Sequence, residues 1–96
     1  MDISPEMREL RDGLDRMGVP YEVGDEETED EEGFVGHVEA TTFRMDGEEA
    51  VAMVAWTRDA DGRKRFESTG GRFGYLELTV GCLTRPVLAE EVLSEL

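Results

Sequence analysis

Residues 49 to 57, Glu-Ala-Val-Ala-Met-Val-Ala-Trp-Thr, constrain the fold more than any other stretch of the chain. After Glu49 the stretch contains no charge, proline or glycine. Strand side chains alternate between the two faces of a sheet, so both faces would be apolar here. A helix is the alternative, but the stretch is short and the Asp46-Gly47 pair before it is typical of a hairpin turn. We therefore predict a central strand, interior to a sheet.

Other strands are predicted on both sides of this one. Residues 33–44 are rich in β-branched side chains and lead into the Asp46-Gly47 turn, which indicates the first strand of a hairpin. Its only histidine, His37, is expected at the surface or at an edge. Residues 74–80 alternate, with Leu76, Leu78 and Val80 facing inward. Residues 21–23 are expected to form a short edge strand, and a short, interrupted strand is expected to begin at Phe66.

Helices are predicted at both ends of the chain. Ser4-Pro5-Glu6 is typical of a helix start, with serine as the N-cap and proline at the first helical position. Gly18 is well placed to end that helix in the left-handed conformation. A stripe of apolar residues at helical spacing connects the two ends: Ile3, Met7, Leu10, Leu14 and Met17. A second helix is expected to open at Thr84-Arg85-Pro86.

This order of elements predicts an α+β fold. We expect one domain over residues 1–96, with an antiparallel sheet of three to four strands and both helices packed on one face, the face holding Trp56 and Leu78. The second sheet face is expected to hold Val51, Met53, Thr41 and Tyr75. Because monomers seldom leave a large apolar patch bare, that face is a candidate for partner binding or a dimer contact.

The charge of the chain restricts its partners. It carries 24 acidic and 10 basic residues, a formal net charge of −14. Nucleic acids and anionic membranes have the same sign, so direct binding to either is not expected. A basic protein would be captured quickly and in a salt-dependent way. Plain solubility, or the acidic composition of proteins from salt-adapted cells, is the alternative explanation of the charge.

The acidic residues are concentrated between residues 22 and 32, where eight acids occur without a base. We predict an acidic mobile loop at about 24–32, because such a stretch has too little apolar surface to offset the entropy lost on ordering. The functional hypothesis is an anionic arm that imitates nucleic-acid phosphates, and a calcium loop is disfavoured by the spacing. The expected partner-binding residues are Glu22, Asp25, Glu26, Glu27, Glu29, Asp30, Glu31 and Glu32.

No catalytic or cofactor site is predicted. Cys82 is the only cysteine and His37 the only histidine, so neither a disulfide nor a cysteine-based metal site is expected. Cys82 lies in an apolar run and is expected to be buried. The carboxylates are most concentrated in the expected mobile stretch, which could not hold two of them at a catalytic separation. We expect a non-enzyme without cofactor or metal, and, lacking a membrane span or signal peptide, a cytoplasmic protein.

In size, charge and layout the chain resembles the small acidic proteins that phages and prophages encode against host defences, anti-CRISPR proteins among them. The resemblance covers the helix around residues 10–19, Leu-Arg-Asp-Gly-Leu-Asp-Arg-Met-Gly-Val, the Gly74-Tyr75-Leu76-Glu77 strand and the C-terminal helix. It transfers no functional residue, since that group shares no common fold. It implies an inhibitor of a basic, nucleic-acid-binding effector complex. A homodimeric assembly module and an ordinary protein of a salt-adapted cell are the alternatives.

Overall fold

The computed structural model describes residues 3–29, 35–58, 64–67 and 74–96. The α+β class and the antiparallel sheet are confirmed, but the sheet formed by these described residues has seven strands instead of three to four. Its order is β1-β3-β4-β6-β7, with β2 paired to β3 and β5 paired to β4. The elements are α1 (Pro5–Met17), β1 (Glu22–Val23), β2 (Glu26–Glu29), β3 (Val35–Met45), β4 (Glu48–Arg58), β5 (Lys64–Glu67), β6 (Leu76–Val80), β7 (Leu83–Val87) and α2 (Ala89–Ser94).

Helix α1 begins and ends where its local sequence predicts. The Ser4 hydroxyl accepts a hydrogen bond of 3.2 Å from the backbone N–H of Met7, which satisfies one of the free donors of the first turn. Pro5 occupies the first helical position. Gly18 ends the helix with φ of 71°, a left-handed conformation that glycine adopts without a steric penalty.

The β3–β4 hairpin forms the centre of the sheet, as predicted. Asp46 and Gly47 have φ of 50° and 81°, the two positive values that a type I′ turn requires. The register then runs without interruption from Met45 opposite Glu48 to Val35 opposite Arg58. On its other side β4 pairs with β6 and β5, so it is covered by neighbours along both edges.

One face of this sheet forms the core together with the two helices. Trp56, Leu76 and Leu78 are almost completely buried there. The helices contribute Met7, Leu10 and Leu14 from α1 and Ala89 and Val92 from α2 to the same cluster. Gly13 allows the helices to approach closely, because a Cβ at this position would clash with the side chain of Leu93.

The prediction of a mobile loop at about 24–32 is wrong for Glu26–Glu29. These residues form β2 and pair with residues 35–38 of β3, with Glu27 opposite His37. A strand at a sheet edge tolerates consecutive carboxylates because it is solvated along its outer side, a possibility that charge counting overlooks. Residues 30–32 lie outside the described part of the chain.

The C-terminal helix begins later than predicted. Leu83–Val87 is strand β7 at the end of the sheet, and α2 starts at Ala89. Pro86 is compatible with a strand at the edge of the sheet. Such a strand has no neighbour on its outer side, so a backbone N–H is not needed there. The prediction that Cys82 is buried is also wrong, since Gly81 and Cys82 form the exposed turn between β6 and β7.

Candidate functional site

Four exposed carboxylates line the outer side of β3. We call Glu22, Glu26, Glu27 and Glu29 the acidic edge; the first belongs to β1 and the others to β2. The pairing register places Glu22 opposite Thr42 and Glu26 opposite Val38. Because residues directly opposite each other share a face, Glu22 and Glu26 lie on the sheet face away from the helices. Glu27 and Glu29 lie on the helix side.

Asp25, expected to bind a partner, makes its contacts within the fold. Its two carboxylate oxygens accept hydrogen bonds of 3.1 and 2.7 Å from the two terminal nitrogens of Arg11. It also accepts a bond of 3.2 Å from the backbone N–H of Ala40. A bidentate guanidinium–carboxylate pair fixes orientation as well as distance. Asp25 therefore anchors the segment between β1 and β2 and is less accessible than its neighbours.

Arg11 completes this anchor from the buried side of α1. Its Nε donates to the Thr41 hydroxyl at 2.8 Å, and one terminal nitrogen donates to the Ala40 carbonyl at 3.2 Å. The Thr41 hydroxyl in turn lies 3.0 Å from the sulfur of Met7. Thr41 is fully buried, so its expected place on the second sheet face is wrong. It shares the face of Phe43, which the alternation of β3 alone indicates.

A buried carboxylate joins α1 to the sheet. Glu39 is only 2% exposed, and it accepts hydrogen bonds from the Ser4 N–H at 3.0 Å and the Ser4 hydroxyl at 2.7 Å. The indole Nε1–H of Trp56 donates a third, at 2.9 Å. These donors are uncharged, and the carboxylate sits at the N-terminus of α1, where the helix dipole favours a negative charge.

His37 is buried, which corrects its expected surface position. Its ring stacks on Trp56 with a centroid distance of 3.8 Å and an interplanar angle of 4°. Its Nε2 lies 3.4 Å from a carboxylate oxygen of Glu27. Glu27 thus connects the acidic edge to the buried His37, and Asp25, which precedes β2, connects the same segment to Arg11.

Tyr21 links the end of α1 to the start of the acidic edge. Its hydroxyl donates a hydrogen bond of 3.2 Å to Asp15. Partial burial, followed by this hydrogen bond and the negative charge of Asp15, raises the pKa of Tyr21 above its ordinary value of 10.0. The phenol therefore stays a donor over the whole neutral range.

The exposed carboxylates of the described residues are acceptors that could bind cationic groups. Within the ranges described above, no group of three or more histidine, cysteine, aspartate or glutamate side chains is arranged to hold a metal ion. No helix in the same ranges is long and apolar enough to cross a membrane. Glu39 and Asp25 are already engaged by donors of the fold, whereas all four residues of the acidic edge are exposed, Glu27 beside its contact with His37.

Comparison with known proteins reveals no relationship. No protein-family model, no curated protein and no solved structure matches this chain.

Proposed function

We propose that the protein is a non-enzymatic binding protein that captures a basic, nucleic-acid-binding protein by presenting carboxylates in place of phosphates. An effector complex of a host defence system is the class of target that the chain's size and charge suggest. The acidic edge is the proposed contact, with Asp25 acting as its anchor and not as a ligand. Asp30, Glu31 and Glu32 would extend the same run of charge.

The spacing of charge along β2 is the observation that carries this proposal. A strand rises about 3.3 Å per residue, and three of the four residues of Glu26–Glu29 are glutamates. A single strand of B-DNA carries one phosphate per about 3.4 Å of helix axis. Along β2 this gives one negative charge per about 4.4 Å, a density lower than that of the DNA strand but of the same order. The contacts of Asp25 and Glu27 hold the strand in place.

A second candidate, acidity that serves only solvation in a salt-adapted cell, is favoured by a different observation. Exposed carboxylates also occur far from the acidic edge, at Glu9 and Asp12 on α1 and at Glu90 and Glu91 on α2. Charge spread over several elements increases solubility without requiring a partner. The two candidates differ in whether position or only net charge matters.

Two variants of equal net charge separate the candidates. One carries Glu22→Gln, Glu26→Gln, Glu27→Gln and Glu29→Gln; the other carries Glu9→Gln, Asp12→Asn, Glu90→Gln and Glu91→Gln. Immobilised chains of each would be used for capture from native lysate, and for binding of poly-L-lysine at increasing KCl. The proposal predicts that the first variant loses a salt-sensitive, nucleic-acid-binding protein that the second retains. Equal losses, or no specific capture by the parent chain, would overturn it.

A further inference from the structure

The sheet face opposite the helices has an apolar centre that no described element covers. Val38 and Ala40 of β3 lie directly opposite Ala55 and Met53 of β4, and Val51 continues the patch toward the hairpin. All of these residues are partly exposed. Contiguous apolar patches on a protein surface commonly mark interaction sites. We refer to Val38, Ala40, Val51, Met53 and Ala55 as the open face.

Carboxylates border the open face on both lateral sides and at one end. Glu26 lies opposite Val38 on one side, and Glu77 of β6 lies opposite Met53 on the other. Glu22 and Glu49 stand nearer the hairpin. Two described cations belong to this face: Arg44, whose guanidinium donates a bond of 2.7 Å to the Gly47 carbonyl, and Arg65 of β5, which the register places opposite Thr57 at the end away from the hairpin. We call Glu22, Glu26, Glu49 and Glu77 the carboxylate rim.

The dimensions of this surface match an α-helix. Glu26 on β2 and Glu77 on β6 are separated by three strand spacings, about 14 Å at about 4.8 Å each. A helix with its side chains is about 10–12 Å wide. From Val51 to Ala55 the patch runs about 14 Å along the strand, which corresponds to about nine helical residues. The other face of the same sheet is already covered by helices α1 and α2.

We infer that the open face docks an amphipathic α-helix of a partner, with an apolar stripe against Met53 and its neighbours and with lysine or arginine on both flanks. The carboxylate rim selects the sign of the flanks, since opposite charges around an apolar centre favour encounter and register. It also disfavours a second copy of this chain, whose own rim would bring four more carboxylates to the same place. The inference rests on the proposed function, because it assigns the surface that the basic partner contacts in addition to the acidic edge.

A synthetic helix can test this surface without knowledge of the natural partner. The probe is a peptide of about fourteen leucines and lysines, patterned so that the leucines share one helical face. A scrambled peptide of the same composition and a peptide with glutamate in place of lysine serve as comparisons. The variant is Met53→Lys. Its matched control is Met17→Lys, the same substitution at a methionine of α1 that is 46% exposed.

We expect the patterned peptide to bind with 1:1 stoichiometry and to shift the NMR signals of Met53, Val51 and Val38. Met53→Lys should weaken this binding about tenfold, because it removes apolar contact and adds a like charge, and Met17→Lys should leave it nearly unchanged. Circular dichroism would verify that both variants fold. The scrambled and glutamate peptides should bind at least about tenfold more weakly than the patterned peptide.

Equal weakening by the two methionine variants, or equal binding of the three peptides, would overturn the inference. So would a dimer in sedimentation that Met53→Lys dissociates, because the occupant would then be a second copy. Poly-L-lysine distinguishes failure of this inference from failure of the proposed function. If neutralising the acidic edge abolishes poly-L-lysine binding, but Met53→Lys does not change the affinity for the patterned peptide, only the inference about the open face is wrong. If the patterned peptide binds at Met53, but neutralising the acidic edge does not change the affinity for poly-L-lysine, only the charge-mimicry proposal is wrong.

Discussion

The indole Nε1–H of Trp56 donates a hydrogen bond of 2.9 Å to Glu39, and Glu39 simultaneously receives both the backbone N–H and the hydroxyl of Ser4. The residue that caps α1 is thereby joined to a carboxylate 35 positions later in the chain and to the central strand. A charge in the core of a strongly acidic protein is tolerated because three neutral donors converge on it at a helix N-terminus.

Glu39→Gln should destabilise the fold by about 3 kcal/mol, because one of the two acceptor oxygens becomes an amide that faces donors in a buried site. Urea unfolding followed by the fluorescence of Trp56, the only tryptophan, would measure the change. Glu49→Gln, at an exposed position of the same sheet, is the control and should change stability by less than about 0.5 kcal/mol. Equal effects of the two substitutions would contradict the assigned role of Glu39.

Asp25→Ala should cost about 3 kcal/mol, since it leaves the guanidinium of Arg11 buried without its carboxylate. Arg11→Met should cost a similar amount. The double variant should be less destabilised than the sum of the two, with a coupling energy above about 1 kcal/mol. Denaturant unfolding of the four proteins gives this coupling, and strict additivity would show that the pair contributes nothing of its own.

Gly13→Ala should change the stability of the fold in opposite directions in the parent chain and in a Leu93→Ala variant. In the parent chain the added methyl meets the side chain of Leu93 and forces it to move, which opposes the gain in helix propensity. In a Leu93→Ala background the methyl has room, and the propensity of alanine should stabilise the helix by up to about 1 kcal/mol. Thermal unfolding of the four combinations measures both effects. The same gain in both backgrounds would mean that α1 and α2 do not approach each other at Gly13.

The raised pKa of Tyr21 predicts an alkaline loss of stability. The folded state retains the phenolic proton better than the unfolded state, so the stabilisation is complete below pH 10.0 and is lost as pH rises through the folded-state pKa. Subtracting the tyrosinate absorbance titration of Tyr21→Phe from that of the parent chain should give a midpoint above 10.0. Asp15→Asn should move that midpoint downward, because it removes the negative charge beside the hydroxyl. A difference midpoint at or below 10.0 would contradict the predicted shift.

The parts of the fold that local chemistry determines could be predicted from the sequence. Ser4, Pro5 and Gly18 act on the backbone around them, so the predictions of where α1 begins and ends are confirmed. Asp46-Gly47 determines its own turn and, through it, the register of β3 and β4. These predictions need no knowledge of distant residues.

The parts of the fold that depend on contacts between residues distant in sequence could not be predicted. Strand β2 looks like solvated coil by composition, and it is held beside β3 by the contact of Asp25 with Arg11, 14 positions earlier. His37 looks polar, yet Trp56 covers its ring. The one available signal was the alternation of β3, which places His37, Glu39 and Thr41 on the same face as Phe43. The acidic edge was recognisable as a set of charges, but the anchoring role of Asp25 was not.

The Arg11–Asp25 contact divides a uniform-looking acidic segment into residues with different freedom to vary. Replacing Glu26 or Glu29 by aspartate, glutamine or serine should cost the fold little, whereas a change of Asp25 should be tolerated best together with a change of Arg11. Descendants of this chain should therefore drift in the length and identity of their negative run while the aspartate and the arginine are kept or replaced together. That paired inheritance, more than acidity itself, would mark a distant sequence as a member of the same lineage.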